Sequence, residues 1–217
     1  MIEQNKFFDK RDMLFSQILD NIIEIAETSI TSKGSFRIVL AGGDSPKPLY
    51  KLLLEKKIDF TNWIFYLGDE RVLSKKNYLR NDYWITKNFI SLINTPKDNI
   101  FFLKPELGSK YLENYKKMLK GIDKFDLVLL GMGIDGHTAS IFPNRQYRDD
   151  IVIATHSPVY PFSRLSYSLN LLSNSENIIK IVIGKSKAKA FYQWQNGYNL
   201  PIASVKCQNN INYICFD

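Results

Sequence analysis

One of only two histidines in this chain, His137, lies in the stretch GMGIDGH (131–137), with Asp135 two positions before it and glycines at 131, 133 and 136. Imidazole titrates near neutral pH, so such a residue can take a proton from water under ordinary conditions. A carboxylate beside it can orient or charge-tune the ring. Asp135 and Asp69 are both candidates, and the residue pattern does not choose between them. The stretch leaves FDLVLL (125–130), an apolar run typical of a strand covered on both faces. Glycine permits positive φ and close approach of a ligand to the backbone. In open α/β sheets ligands bind beyond the carboxyl ends of the strands. A lone histidine is usually satisfied by backbone contacts; the glycines and the strand-end position set His137 apart.

Further loops follow apolar runs in the same way. AGGDSPKPLY (41–50) leaves FRIVLA with Gly42 and Gly43, then Ser45 and a proline-led helix start, where free N–H groups and the helix dipole favour an anion. LGDER (67–71) puts Asp69, Glu70 and Arg71 directly at the end of WIFYLG (63–68). Arg164 opens the run RLSYSL. Lys187 lies in GKSKA at a helix start after IIKIVIG. Arginine offers a bidentate fork and lysine a point charge, so the two together suit a phosphate. His156, in THSPVYPFS, is a lesser candidate.

These loops need a scaffold that presents them together. Apolar spacing predicts a helix over 9–31 and further helices from Pro46, over 81–93, over 111–120 and over 186–195. Strands are expected at 36–41, 63–68, 125–130, 151–154, 164–172, 178–184 and 213–216. Strand and helix alternate through most of the chain, which gives an α/β class: a Rossmann-like, largely parallel sheet with helices on both faces. No proline- or glycine-rich boundary divides the sequence, so residues 1–217 are expected to form a single domain.

Composition narrows the function. The 217 residues carry 29 Lys and Arg against 22 Asp and Glu, a net charge of +7 that favours anionic partners. The lysines are scattered, without a basic block or aromatic-basic alternation, so a phosphorylated small molecule is expected and nucleic acid is not. No apolar run approaches the ~18 residues of a membrane span, and the first residues are too polar for a signal peptide. A cytoplasmic protein, monomeric or weakly dimeric, is expected. Cys207 and Cys215 are too few for a disulfide scaffold and lack zinc spacing. No cofactor or metal is expected.

The segments AGGDSPKPLY, WIFYLGDER, Asn81, FDLVLLGMGIDGHTASIFP, RLSYSL and GKSKA together resemble the glucosamine-6-phosphate isomerase/6-phosphogluconolactonase family, on its lactonase side, over almost the whole chain. The resemblance implies metal-independent hydrolysis of 6-phosphoglucono-δ-lactone to 6-phosphogluconate in the oxidative pentose phosphate pathway. It implies that Gly42, Gly43 and Ser45 line the sugar-phosphate pocket and that Asp69, Glu70 and Arg71 form its acidic-basic wall. It implies that His137 is the catalytic histidine, with Arg164 and Lys187 as phosphate and substrate ligands.

Two positions depart from the family pattern. Asp44 stands in Gly-Gly-Asp-Ser-Pro where Gly-Gly-Ser-Thr-Pro is usual, and is expected to point away from the ligand or to pair with a lysine. Arg80 stands before Asn81 where serine is usual; Asn81 is expected to cap the following helix and Arg80 to alter the pocket rim. The isomerase/deaminase side typically carries Asp-Glu-Tyr and Asn-Glu-Pro, where this chain has Arg71 and Ser140-Ile141-Phe142-Pro143. The same residues could also belong to a non-catalytic sugar-phosphate-binding regulator or to a metal hydrolase. The intact His137, Asp-Glu-Arg and cation set argues against a regulator, and the single histidine argues against a metal hydrolase.

Overall fold

The computed structural model describes residues 2–217. Its centre is β6 (Phe125–Gly131). Successive side chains of a strand point to opposite faces, so Leu127 and Leu129 enter one hydrophobic cluster while Val128 and Leu130 enter another. A strand buried this way needs helices on both sides, and the chain supplies them.

In chain order come β1 (Ile2–Phe7), α1 (Arg11–Lys33), β2 (Phe36–Leu40), α2 (Lys47–Glu55), β3 (Trp63–Leu67), β4 (Asp69–Arg71), α3 (Asn81–Asn88), β5 (Ile100–Phe101) and α4 (Gly108–Lys120). After β6 follow β7 (Val152–His156), β8 (Ser163–Tyr167), α5 (Leu169–Ser173), β9 (Ser175–Ile183), α6 (Ala188–Gln195), α7 (Pro201–Ser204) and β10 (Asn209–Cys215). Helices α1, α2 and α3 cover the face of Leu127 and Leu129; α4, α5, α6 and α7 cover the other.

The main sheet runs β1-β10-β9-β6-β2-β3-β5, and all its pairings are parallel. From β2 the chain steps outward to β3 and β5. It then returns to the other flank of β2 as β6 and steps outward again through β9 and β10. The direction of winding therefore reverses between β2 and β6, and a crevice opens at the carboxyl ends of such a pair. The largely parallel, Rossmann-like sheet with helices on both faces is as the sequence predicts.

Several details differ from the sequence reading. Strands β4, β8 and β7 form a separate antiparallel sheet. The run 164–172 is not one strand: it ends at Tyr167, and Ser168 caps α5, its Oγ accepting the Leu171 N–H at 3.2 Å. The helix expected to reach 93 stops at Asn88 and gives way to a 3-10 turn over Ile90–Leu92.

Strand β1 escapes the sequence reading because IEQNKF has no apolar alternation. Polar contacts hold it at the sheet edge instead. Asn212 Nδ2 donates to Asn5 Oδ1 (2.8 Å) and to Glu3 Oε1 (3.2 Å), and Asn5 Nδ2 donates to Gln195 Oε1 (2.8 Å). Within this seam Lys180 is fully buried, with Nζ 3.5 Å from Glu3 and 4.6 Å from the centre of the Trp194 ring. Burial pushes its pKa down to about 8, and the Glu3 carboxylate only partly opposes this. A lysine depressed on folding binds fewer protons in the folded than in the unfolded chain between pH 8 and 10.5. Stability therefore rises through that window and is penalised below it. Lys180→Met is expected to stabilise the protein at pH 7 by ~1–2 kcal/mol, a few degrees in Tm, with a gain that shrinks toward pH 10. Calorimetric melts at the two pH values check this.

Candidate active site

Four adjacent strands, in the order β9-β6-β2-β3, end at the crevice, and each delivers one of the expected loops. Lys187 follows β9, residues 131–137 end and follow β6, Gly42 to Ser45 follow β2, and Asp69 to Arg71 follow β3. Arg164 reaches the same place from β8, which pairs with β4. The crevice is a cavity of about 570 Å³, and its wall includes Gly42, Gly43, Ser45, Asp69, Arg71, Asn81, Asp135, His137, Arg164 and Lys187.

At one end lies the histidine. Its Nδ1 is 2.5 Å from Asp135 Oδ1, which also accepts the His137 backbone N–H at 3.1 Å. A carboxylate accepts only, so Nδ1 carries the proton and the neutral ring presents its lone pair at Nε2. Burial acts to raise the Asp135 pKa, but the side-chain and backbone hydrogen bonds from His137 oppose it, and the carboxyl is held below its ordinary value. The Phe142 ring stands 4.8 Å from the imidazole and limits its swing. Of the two carboxylates that the sequence left open, Asp135 is the one in contact with the ring.

Asp69 is engaged elsewhere. Its Oδ2 accepts Ser140 Oγ–H at 2.5 Å, and Asn81 Nδ2 donates to its backbone oxygen (3.1 Å) and its Oδ1 (3.3 Å). Ser140 N–H reaches Ser166 Oγ at 3.2 Å, so the histidine loop is tied to both β4 and β8. Ala139, just before it, sits at φ 48°, a left-handed conformation that costs an alanine ~1 kcal/mol and turns Ser140 inward.

The alternation of a strand sorts the Asp-Glu-Arg triplet. Asp69 and Arg71 face the cavity. Glu70, expected in the same wall, is fully buried on the opposite side. There its carboxylate accepts the N–H groups of Arg71 (2.7 Å), Asn81 (2.8 Å) and Asp82 (2.6 Å). Glu70 therefore caps α3 from a distance, where the helix dipole favours a negative group. Desolvation and the nearby Asp82 push its pKa up against these donors. The capping expected of Asn81 is corrected accordingly: Asn81 is the first helical residue, its amide serves Asp69, and the preceding residue makes no side-chain cap.

Positive charge gathers at the other wall. Arg71 and Arg164 are direct partners across the β4–β8 ladder. Arg71 Nη1 donates to the Leu79 carbonyl, and its Nε is buried without a hydrogen-bond partner. Arg164 Nε donates to Pro161 O at 2.7 Å. Burial, and then the charge of Arg71, lower the Arg164 pKa. Lys187 Nζ lies 3.1 Å from Ser45 Oγ, its pKa lowered by burial. Asp44 turns outward and pairs with Lys47 at 2.6 Å, as expected. His156 stands apart from the cavity, stacked on Phe162 at 5.5 Å. The sequence reading missed Ser140, Phe142 and the apolar wall of Val159 and Ile134, although the first two lie inside the GHTASIFP stretch it had singled out. Among the described residues no three His, Cys, Asp or Glu side chains gather where they could hold a metal ion. Among the same residues no helix is long and apolar enough to cross a membrane.

The model of the family described as glucosamine-6-phosphate isomerases/6-phosphogluconolactonase matches residues 9–213. A probable 6-phosphogluconolactonase 1 of Arabidopsis thaliana is 31% identical over 211 residues, covering 87% of this chain and 78% of its own. A 6-phosphogluconolactonase of Haemophilus influenzae is 33% identical over 189 residues, covering 80% and 81%. The crystal structure of a 6-phosphogluconolactonase from Thermotoga maritima matches with a TM-score of 0.91 at 26% identity, covering 99% of this chain and 100% of the other.

Two glycines of the cavity wall sit where a side chain would collide with the site. A Cβ on Gly42 would lie 2.2 Å from the Asn81 side chain, and one on Gly133 would lie 2.0 Å from His137 Nδ1. A Cβ on Gly131 meets nothing within 4 Å. Gly133→Ala is therefore expected to drive the imidazole off Asp135 while Gly131→Ala leaves it in place. Crystal structures of the two variants, or the Nδ1 proton resonance of His137, check this.

Proposed function

The chain belongs to the glucosamine-6-phosphate isomerase/6-phosphogluconolactonase family, and on that premise we propose that it hydrolyses 6-phosphoglucono-δ-lactone to 6-phosphogluconate in the oxidative pentose phosphate pathway. The observation that carries the reading is the shared cavity. An imidazole held by a carboxylate lines the same space as Arg71, Arg164 and Lys187. A lactone with a phosphate at its far end needs both features at once, a base for water and a grip for a dianion.

In this mechanism His137 Nε2 takes a proton from a water molecule as its oxygen attacks the lactone carbonyl. Asp135 stabilises the imidazolium that forms and keeps the ring from turning. The carbonyl oxygen becomes an oxyanion and meets donors on the cavity wall, the Arg71 guanidinium or the N–H groups of the glycine-rich loop. The intermediate collapses by breaking the bond between the carbonyl carbon and the ring oxygen. That oxygen receives the proton from the imidazolium, and the neutral histidine returns. Arg164 and Lys187 hold the phosphate and lend its binding energy to orientation at the carbonyl.

We propose a cytoplasmic setting for the reaction, a reading that the unpaired, buried thiols of Cys207 and Cys215 support. The test is turnover of freshly prepared lactone with the spontaneous rate subtracted, alongside ammonia release from glucosamine 6-phosphate. Lactone turnover without ammonia is expected; the reverse pattern would reassign the chain to the deaminase side. His137→Ala should lower kcat by ~10²–10⁴, and Asp135→Asn should follow it in direction. Arg164→Ala should act chiefly on KM, by roughly 10- to 100-fold; an unchanged KM removes the phosphate from that residue.

A further inference from the structure

Arg80 does not line the cavity itself. Its side chain is completely buried, a costly place for a charge unless it is paired. It is fully paired. Nε and Nη2 form a fork on Asp82 at 2.8 and 2.6 Å, while Nη1 donates to Glu106 Oε2 at 2.6 Å and to the Leu73 carbonyl at 3.0 Å. These contacts tie α3 to the loop after β4 and to the turn before α4.

The peptide unit on the N-terminal side of Arg80 is the one that matters. Its carbonyl belongs to Leu79 and accepts Arg71 Nη1. Its N–H belongs to Arg80 and donates to Asn77 O at 3.0 Å, while Leu79 N–H donates to Asn77 Oδ1 at 2.9 Å. Rotation of this peptide plane would carry the Leu79 oxygen, and with it the guanidinium that lines the cavity. Among the described groups, that carbonyl is the only hydrogen-bond acceptor assigned to the Arg71 side chain, whose Nε has none.

We propose that Arg80 is the positioning residue for Arg71: its ion cluster with Asp82 and Glu106 fixes the Leu79 carbonyl, and that carbonyl aims the Arg71 guanidinium into the cavity. The proposal rests on the lactonase reading for its readout. It also explains why a large cation at position 80 leaves the pocket intact: the charge is neutralised behind the wall, not in it.

A double-mutant cycle tests it. Arg80→Met is expected to lower kcat/KM for the lactone by about 10- to 100-fold, since a displacement near 1 Å at a binding group costs up to that much. In an Arg71→Ala background the same change should cost less than about twofold. Equal losses in both backgrounds would show that Arg80 acts on the fold at large and would overturn the proposal. If Arg80→Met does not fold, Glu106→Gln, which removes one of the two carboxylate partners, is expected to show the same non-additivity with a smaller loss. Absence of lactone turnover in the unsubstituted protein would sink the functional reading instead. The cycle is then read from calorimetric affinity for 6-phosphogluconate, where additivity again counts against Arg80.

Discussion

The site depends on one buried carboxylate. Glu70 lies under the first turn of α3 and gathers the N–H groups of Arg71, Asn81 and Asp82, so a three-residue strand and a helix start are locked together at their ends. Everything else at the crevice takes its place from that lock. Strand alternation sends Asp69 and Arg71 toward the cavity because Glu70 is held away from it. Asn81, fixed by its own N–H, turns its amide onto Asp69 and occupies the space that Gly42 leaves free. Asp69 in turn holds Ser140, and Ser140 holds the loop that carries the histidine.

The sheet supplies the complementary constraint. Parallel strands end at the same side, so loops from β9, β6, β2 and β3 converge without any long excursion. Reversal of the winding between β2 and β6 keeps helices from filling the gap. The small antiparallel sheet closes the cavity laterally and brings Arg164 opposite Arg71, a pairing that no connection within the main sheet provides.

Much of this was legible in the sequence, and the reasons are physical. Runs such as FDLVLL announce themselves because two-faced burial demands continuous apolar residues. The loops after them announce themselves because glycines, a histidine and adjacent charges are unusual beside such runs. Less legible were features that depend on partners distant in sequence. The choice between Asp135 and Asp69 as the partner of His137 was left open in the sequence; the fold engages Asp69 with Ser140 and Asn81, while Asp135 reaches the ring through a local turn. Arg80 reads as a residue of the pocket rim until Asp82 and Glu106 are seen around it. Strand β1 has no apolar signal because its hold on the sheet is a polar seam. Glu70, by contrast, could have been read correctly, since period-two alternation already separates it from its neighbours on either side.

The pairing of Arg71 with Arg164 has a consequence for the protein between turnovers. Arg164 is buried directly across the ladder from Arg71, whose positive charge repels it. On the lactonase reading, a bound dianion relieves that repulsion. Free energy released in this way is added to the resistance of the whole chain against unfolding, growing as ligand concentration exceeds Kd. On the lactonase reading, such a protein is sturdiest while its phosphorylated ligand is bound.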